Sequence, residues 1–200
     1  MKVEKKELYH FHNYEWNKEL WTPGSEIDNA ENYYSKFYID TLYFKPVKLT
    51  KQGYSFFPNI ISSYLKEEQD KETYIKLLKD AETCIREYTY QKREMILELV
   101  RKEIYPELPS RKNSIYLTDK ESLEFWREQL KNPNRPLMLF RVEVTGDIFK
   151  SSDILLPTPE MDIEETYEQS KKYWNPNFNE IDNDKSEYLF KGKIKVLEMM

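Results

Sequence analysis

Cysteine and glycine are both scarce in this chain of 200 residues. The single cysteine, Cys84, excludes an intramolecular disulfide and any cysteine-rich zinc site. Four glycines are too few for a collagen-like segment, a glycine-rich linker or a multi-glycine phosphate loop. The sequence also contains no Walker loop and no GxGxxG, HExxH or GxSxG motif. Together these absences exclude the common nucleotide-loop, zinc-protease and serine-hydrolase signatures.

Long apolar runs and an excess of basic charge are missing as well. No stretch approaches about 18 consecutive apolar residues, and the N-terminal MKVEKKELYH lacks the apolar core of a signal peptide. The net charge of −5 disfavours binding to nucleic acid or to an anionic membrane, because both attract a basic face. We therefore expect a cytoplasmic protein that binds neither nucleic acid nor membranes.

Aromatic residues are abundant, at 15% of the chain, which argues against disorder. An alternating pattern predicts a first strand over residues 6–13, with His10 and His12 on one face. These are the only histidines of the chain, and no third ligand lies at a local spacing, so we expect no metal site. In the aromatic-rich segment that follows, we predict helical turns around residues 29–40 and a short strand over 41–45.

After a shorter helix over 59–68, a long amphipathic pattern predicts one helix over residues 72–104, or two helices joined with little break where the polar residues 91–93 interrupt the pattern. Apolar residues recur in the long helix at spacings of three and four, from Tyr74 to Val100. We expect this stripe to be the main core face, so that Leu99→Ala destabilises the fold. A coiled-coil interface is the alternative, which we disfavour because the heptad pattern is short and irregular.

The stretch over residues 105–130 organises the predicted fold. Two prolines end the long helix, and a short strand follows over 113–117. Thr118, with Glu121 three residues later, forms a capping box that opens a helix over 121–130. A strand end beside a helix N-terminus suits an anionic or nucleotide-like ligand, and it is also an ordinary helix–strand–helix connection. Both interpretations stay open on these residues alone.

Strands and one helix are predicted for the C-terminal part of the chain. Residues 137–145 have the strongest strand pattern, and a turn at Gly146-Asp147 is expected to end it. An amphipathic pattern predicts a helix over 163–174. Two short strand pieces around Gly192 are predicted within residues 187–197.

The order of these elements determines the expected fold class. Strands and helices are too unevenly spaced for a doubly wound parallel sheet. We expect one α+β domain over residues 1–200, built on a mixed, largely antiparallel sheet. The mainly helical segment over residues 58–104 is expected to pack on that sheet.

Four short motifs lie on predicted strands or next to them: Tyr9-His10, the RKEIYPELPSR run over 101–111, the strand IYLT that leads into a helix with Trp126, and EYLF at 187–190 followed by Gly192. In these motifs the chain resembles an uncharacterised bacterial family, a domain of unknown function. Through the same motifs it is similar to ADP-ribosyltransferase-like folds. The first resemblance covers about two-thirds of the chain, and the second rests on three short strand motifs.

The second resemblance implies a role for each matching residue. His10 would contact the adenosine-side ribose of NAD, and Tyr116 would stack on the nicotinamide. Glu187 would be the catalytic acid that holds the ribose hydroxyl as the glycosidic bond breaks. Arg111 is placed by its charge to pair with the pyrophosphate, and Ser110 lies beside it at the same strand end. NAD would then be the substrate of an ADP-ribosyltransferase or an NAD glycohydrolase, and a small-molecule nucleotide or a protein would be the acceptor.

One departure from that superfamily and one alternative function complete the expectations. Lys185 precedes Glu187 by two residues, so the paired acids of arginine-modifying members are missing. The alternative is a non-catalytic protein-interaction module on the same fold, in which the long charged helix and exposed aromatics contact a protein partner. The two functions differ in one geometric requirement: the enzyme needs His10, Tyr116 and Glu187 on one cleft. Arg111 is expected to be partly buried and bonded to a carboxylate or to carbonyl oxygens.

Overall fold

A computed structural model describes residues 1–13, 18–30, 35–50, 53–66, 70–133, 136–177 and 183–200. Within these ranges the chain forms antiparallel strands and five α-helices, joined by three short 3₁₀ turns. The strands are β1 Lys2–Asn13, β2 Glu26–Asp28, β3 Val47–Thr50, β4 Gly53–Phe56, β5 Ile115–Leu117, β6 Leu137–Ser152 and β7 Ser186–Met199. The helices are α1 Lys36–Leu42, α2 Phe57–Tyr64, α3 Lys71–Ile104, α4 Leu123–Leu130 and α5 Ile163–Trp174.

A curled antiparallel sheet forms the centre of the structure. Its strands follow the order β1-β6-β7-β2, and β5 pairs with β7 on the same sheet. Strand β5 also reaches β1, because the backbone of Tyr9 exchanges two hydrogen bonds with that of Thr118, at N···O distances of 2.9 and 2.8 Å. The sheet therefore curls until β1, β6, β7 and β5 enclose an apolar interior. We refer to the enclosed side as the inner face, which carries residues such as Leu8, Val142, Phe190 and Ile194.

Two glycines let the long strands β6 and β7 curl. Gly146 and Gly192 are opposite each other in the register, and a Cβ on Gly146 would lie 2.3 Å from the carbonyl oxygen of Lys191. Such a close approach is available to glycine only. The predicted turn at Gly146-Asp147 and the predicted break around Gly192 are therefore wrong. Both strands run through their glycine without interruption.

Helices α3 and α5 pack on the outer face of the sheet. A second cluster of buried residues forms there, and the Trp174 indole donates a hydrogen bond of 2.8 Å to the carbonyl oxygen of Leu97. The span of α5 agrees with its prediction, and a capping box between Asp162 and Glu165 begins it. The cluster is built from Leu97, Val100, Phe149, Leu155, Tyr173, Trp174 and Leu189.

Helix α3 is continuous over 34 residues, the first of the two predicted alternatives, but the predicted core face is wrong. Leu78 is 70% exposed, Ile85 is 66% exposed and Leu99 is 47% exposed. The buried face consists of Leu97 and Val100 together with two charged residues, Glu94 and Arg101. Apolar periodicity predicted the opposite, exposed face as the core face, because two of the four residues on the buried face are charged.

Two shorter predictions are also wrong. The Thr118 hydroxyl caps no helix, since it donates to the carbonyl oxygen of Ser186 at 3.0 Å. Helix α4 instead follows Asp119, whose carboxylate accepts hydrogen bonds from the backbone and hydroxyl of Ser122. The strand predicted over residues 41–45 is absent from that described segment, because α1 continues to Leu42 and residues 44–46 are irregular.

The predicted turns at 29–40 and the predicted helix at 59–68 fall partly outside the described residues. In the described ranges, no helix has both the length and the apolar content needed to cross a bilayer.

Candidate functional site

Arg111 is buried on the outer face of the sheet, between two carboxylates. Its Nε donates to Glu94 Oε2 at 2.8 Å, and its Nη1 donates to Glu187 Oε1 at 2.7 Å. All three residues are nearly inaccessible, with exposed fractions of 3%, 0% and 4%. The prediction that Arg111 bonds to a carboxylate or to carbonyl oxygens is confirmed, and the residue is more completely buried than the partial burial that was predicted.

Two tyrosines flank the same guanidinium. The Arg111 Cζ atom lies 5.1 Å from the ring centre of Tyr116 and 5.3 Å from that of Tyr173. The Tyr173 hydroxyl contacts Arg111 Nη1 at 2.6 Å and donates to Glu187 Oε1. The Tyr116 hydroxyl donates to the carbonyl oxygen of Arg111 at 3.2 Å. We call these five residues, Arg111, Glu94, Glu187, Tyr116 and Tyr173, the Arg111 cluster.

Five segments contribute to the Arg111 cluster. Glu94 comes from α3, Tyr173 from the last turn of α5, Glu187 from the start of β7 and Tyr116 from β5. Arg111 lies on the loop between α3 and β5. A second arginine completes the charge balance, because Arg93 Nη2 donates to Glu94 Oε1 at 3.0 Å. Two arginines and two glutamates therefore form a locally neutral group.

Burial and mutual attraction act in opposite directions on the charged groups of the cluster. Burial favours the neutral form of Glu94, but Arg111 and Arg93 outweigh it and lower the pKa of this carboxyl. Burial likewise disfavours the charged guanidinium, while Glu187 and Glu94 raise the pKa of Arg111 well above its ordinary value. The Glu94 carboxylate and the Arg111 guanidinium consequently stay ionised over the physiological pH range. Burial also raises the pKa of Tyr116 and of Tyr173 far above that of a free phenol.

Ser110 belongs to a neighbouring network and not to the Arg111 cluster. Its hydroxyl donates to Glu98 Oε2 at 2.8 Å, and Arg101 donates to the same carboxylate at 2.9 and 3.0 Å. Arg101 also donates to the carbonyl oxygens of Pro106 and Leu108, both at 3.0 Å. The loop after α3 is therefore attached to that helix by two arginines, Arg101 and Arg111.

His10 lies on the inner face of the sheet. Its ring stacks on Trp21 with centroids 3.9 Å apart, and Trp21 is part of the inner-face core. The His10 Nδ1 lies 2.9 Å from the carbonyl oxygen of Tyr116, so this nitrogen carries the proton and donates. Its Nε2 lies 3.4 Å from Nδ1 of His12. The Tyr116 ring packs against the outer-face cluster, so the sheet separates the His10 imidazole from the Arg111 cluster.

The structure thus brings together Arg111, Tyr116 and Glu187 and leaves His10 and Ser110 elsewhere. Every buried side-chain nitrogen or oxygen in the described part of the chain has a hydrogen-bond partner. The described residues contain no group of three side chains suited to holding a metal ion. Two surface grooves, of about 600 and 340 Å³, are lined by other residues.

Glu94, Arg101 and Tyr173 are members of these networks that sequence reasoning missed. The signal for Glu94 and Arg101 is their spacing of seven, which places them on one face of α3 with Leu97 and Val100. A glutamate and an arginine on an otherwise apolar face indicate buried ionic partners.

Comparison with known proteins adds the family. Residues 8–200 match the family described as protein of unknown function (DUF2441). The chain belongs to that family. No curated protein matches the chain. Because the match covers nearly the whole sequence, α3, the Arg111 cluster and all of the sheet except the first six residues of β1 fall within the family's extent.

The buried imidazole of His10 leads to a prediction for acid stability. Burial lowers the pKa of His10 to about 3, whereas an unfolded histidine has a pKa near 6.5. Between these values the unfolded chain binds the additional proton, so the free energy of unfolding falls as the pH falls. The expected contribution of His10 is about 1.4 kcal/mol per pH unit.

His10→Asn supplies the matched control, since an asparagine amide can still donate to the carbonyl oxygen of Tyr116 but does not titrate. The free energy of unfolding of both proteins is measured by urea unfolding at several pH values from 7 to 4.5. The stability advantage of the unmodified chain over the variant should shrink steadily on acidification. A difference that stays constant over this range would contradict burial of a neutral imidazole.

Proposed function

We propose that the protein is a protein-interaction module that presents an exposed apolar stripe of α3 to a partner. The observation that carries the proposal is that α3 has two apolar faces. One is buried on the sheet, through Leu97 and Val100, and the other points away from it. We call the second one the α3 stripe: Tyr74, Leu78, Ala81, Ile85, Tyr88, Met95 and Leu99.

The stripe contains more exposed apolar residues than the solvent-facing side of a helix usually carries. A surface helix normally carries charged and polar residues on its outer face. Here six large side chains of the stripe are exposed along one line, and contiguous apolar surface of this kind marks binding sites. With Lys92 counted between Tyr88 and Met95, the spacing alternates between four and three residues, which is the pattern of a seam between two helices. The other apolar residues of α3 obscure this regular spacing when the whole helix is considered, so the sequence pattern as a whole is irregular.

The attachment of α3 to the rest of the protein supports a rigid docking element. Its C-terminal half is attached through Glu94 and Arg101 and through the Trp174–Leu97 hydrogen bond. A helix fixed in this way presents its outer face without an ordering cost at the moment of binding. The N-terminal half continues the same helix, which begins where the Asp70 carboxylate accepts a hydrogen bond of 2.7 Å from the backbone nitrogen of Thr73.

An NAD-binding, ADP-ribosyltransferase-like function is the second candidate, although His10 does not join Tyr116 and Glu187 on one cleft, so only part of the geometry that the resemblance implies is present. The observation that favours it is the convergence of Tyr116, Arg111 and Glu187, three of the residues that the resemblance implies. In this function Glu187 would support the developing charge on the ribose, and Tyr116 would orient the nicotinamide. The loop that carries Arg111 would have to move, because Glu187 is almost inaccessible and already accepts from Arg111 and Tyr173.

Two leucines that lie two residues apart test the interaction surface. Leu97→Ala should lower the free energy of unfolding by about 2–5 kcal/mol, because Leu97 is fully buried. Leu99→Ala should lower it by less than about 1 kcal/mol, because that side chain is half exposed. Leu78→Glu combined with Ile85→Glu should also stay within about 1 kcal/mol of the unmodified protein.

The free energy of unfolding of each variant is measured by chemical denaturation at about 1 µM protein, because association of the chain contributes little to it at low concentration. The double glutamate variant decides the outcome. A loss above about 2 kcal/mol would place the stripe in the core of the folded chain and remove the proposed function.

Thermal unfolding with NAD tests the second candidate. At about 100 times its dissociation constant, NAD should stabilise the folded chain by about 2.7 kcal/mol. Tyr116→Ala should lose the stabilisation, whereas Glu187→Gln should keep it and lose nicotinamide release. His10→Asn should keep both, because the imidazole lies on the inner face. Loss of the NAD stabilisation in this variant would instead favour the ribose contact that the resemblance implies for His10. This function would be without support if millimolar NAD gave no thermal shift and no nicotinamide were released.

A further inference from the structure

We infer that the α3 stripe pairs with the α3 stripe of a second copy of this chain, with the two helices antiparallel. The inference rests on the proposed function and specifies its partner. It starts from the spacing of the stripe, in which successive members are four and three residues apart from Tyr74 to Leu99. Position 92 continues the series and is occupied by Lys92. The seam is about 38 Å long, at 1.5 Å per residue.

The exposed area of the stripe agrees with that of a stable dimer. Ile75 lies beside the stripe and is also exposed, which gives seven large exposed apolar residues along the seam. At roughly 100 Å² each they offer roughly 700 Å² per copy, close to the ~800 Å² per partner of a specific interface. A single α3 stripe is therefore large enough to pair with another of the same length.

The order of side chains favours the antiparallel arrangement. A two-fold axis between Arg86 and Glu87 would pair Ile85 with Tyr88, Leu78 with Met95, and Tyr74 with Leu99. It would also pair Ala81, the smallest member, with Lys92, the only charged residue of the series. Three layers then join two large apolar side chains, and the fourth joins the small Ala81 to the long stem of Lys92.

The parallel arrangement in the same register is unfavourable. It would place the aliphatic stem of Lys92 against the same stem of the other copy and overfill this layer. It would also place Ala81 against itself and leave a gap. In the antiparallel pair the Lys92 ammonium keeps its hydrogen bond to the carbonyl oxygen of Met161, and only its aliphatic stem faces the seam.

Among the described residues, two helices adjoin the flanks of α3 and leave most of the stripe open, with Phe44 contacting the Tyr88 ring edge-on at a centroid distance of 5.9 Å. Helix α1 adjoins one flank, where Gln91 Nε2 donates to the carbonyl oxygen of Leu42 at 2.7 Å. Helix α5 adjoins the other, where the Tyr167 hydroxyl donates to Glu103 at 3.0 Å. Between them Met95 and Leu99 stay exposed, so the N-terminal half of a second α3 can lie along this channel.

Sedimentation equilibrium of the full chain between about 1 and 500 µM tests the pairing. The mass should rise with concentration from 24.4 kDa to twice that value. Leu78→Glu with Ile85→Glu should raise the dissociation constant by more than about tenfold. Lys76→Gln with Lys79→Gln makes the same change in net charge off the seam and should leave the constant within about threefold.

A distance measurement tests the orientation. A spin label at Lys76→Cys, in a Cys84→Ala background, should give a separation of about 30–35 Å in the antiparallel dimer. A separation below about 20 Å would mean a parallel pair and overturn the inferred register.

A chain that stays monomeric at all concentrations would overturn the inference that the partner is a second copy. That result would leave the proposed function standing, because another protein could still bind the stripe. Destabilisation of the monomer by the stripe substitutions would instead remove the proposed function itself. The two failures are therefore distinguishable.

Discussion

The buried ion pairs of Arg111 are the interaction on which the described structure depends. One guanidinium joins α3 through Glu94 and β7 through Glu187, and it contacts Tyr173 at the end of α5. A buried ion pair adds little net stability compared with an apolar replacement, because its charges lose their hydration. Removing one partner is costly, however, since the others remain charged in an apolar environment. We conclude that the cluster mainly specifies how these segments are arranged.

The contacts of the Arg111 cluster determine which side of α3 faces the sheet. Glu94 and Arg101 face the loop after the helix, and Leu97 and Val100 therefore face the sheet. The opposite side of the helix must then point outward, including Leu78, Ile85 and Leu99. The same ionic contacts that order the outer face thus determine which apolar residues are available to a partner. Packing and proposed function are linked through one helix.

Periodicity in the sequence predicted the elements whose contacts are local, and it failed where distant segments decide. The helix over 163–174 and the long helix were predicted well, because their patterns are regular. The core face of α3 was not, since it depends on Arg111, a residue 17 positions beyond Glu94.

Predictions for the site divide in the same way. Arg111 was expected to have a buried carboxylate partner, as the structure shows, whereas its partner Glu94 was missed. His10 was grouped with Tyr116 and Glu187 by strand position. The pairing of Tyr9 with Thr118 instead directs the His10 imidazole to the inner face.

The most direct test of the role of Arg111 is urea unfolding of Arg111→Met and of the triple variant that adds Glu94→Gln and Glu187→Gln. The single substitution should lower the free energy of unfolding by about 3–5 kcal/mol, and the triple variant should recover at least half of that loss. A single variant within about 1 kcal/mol of the unmodified chain, or a triple variant no more stable than the single one, would contradict the central role of Arg111.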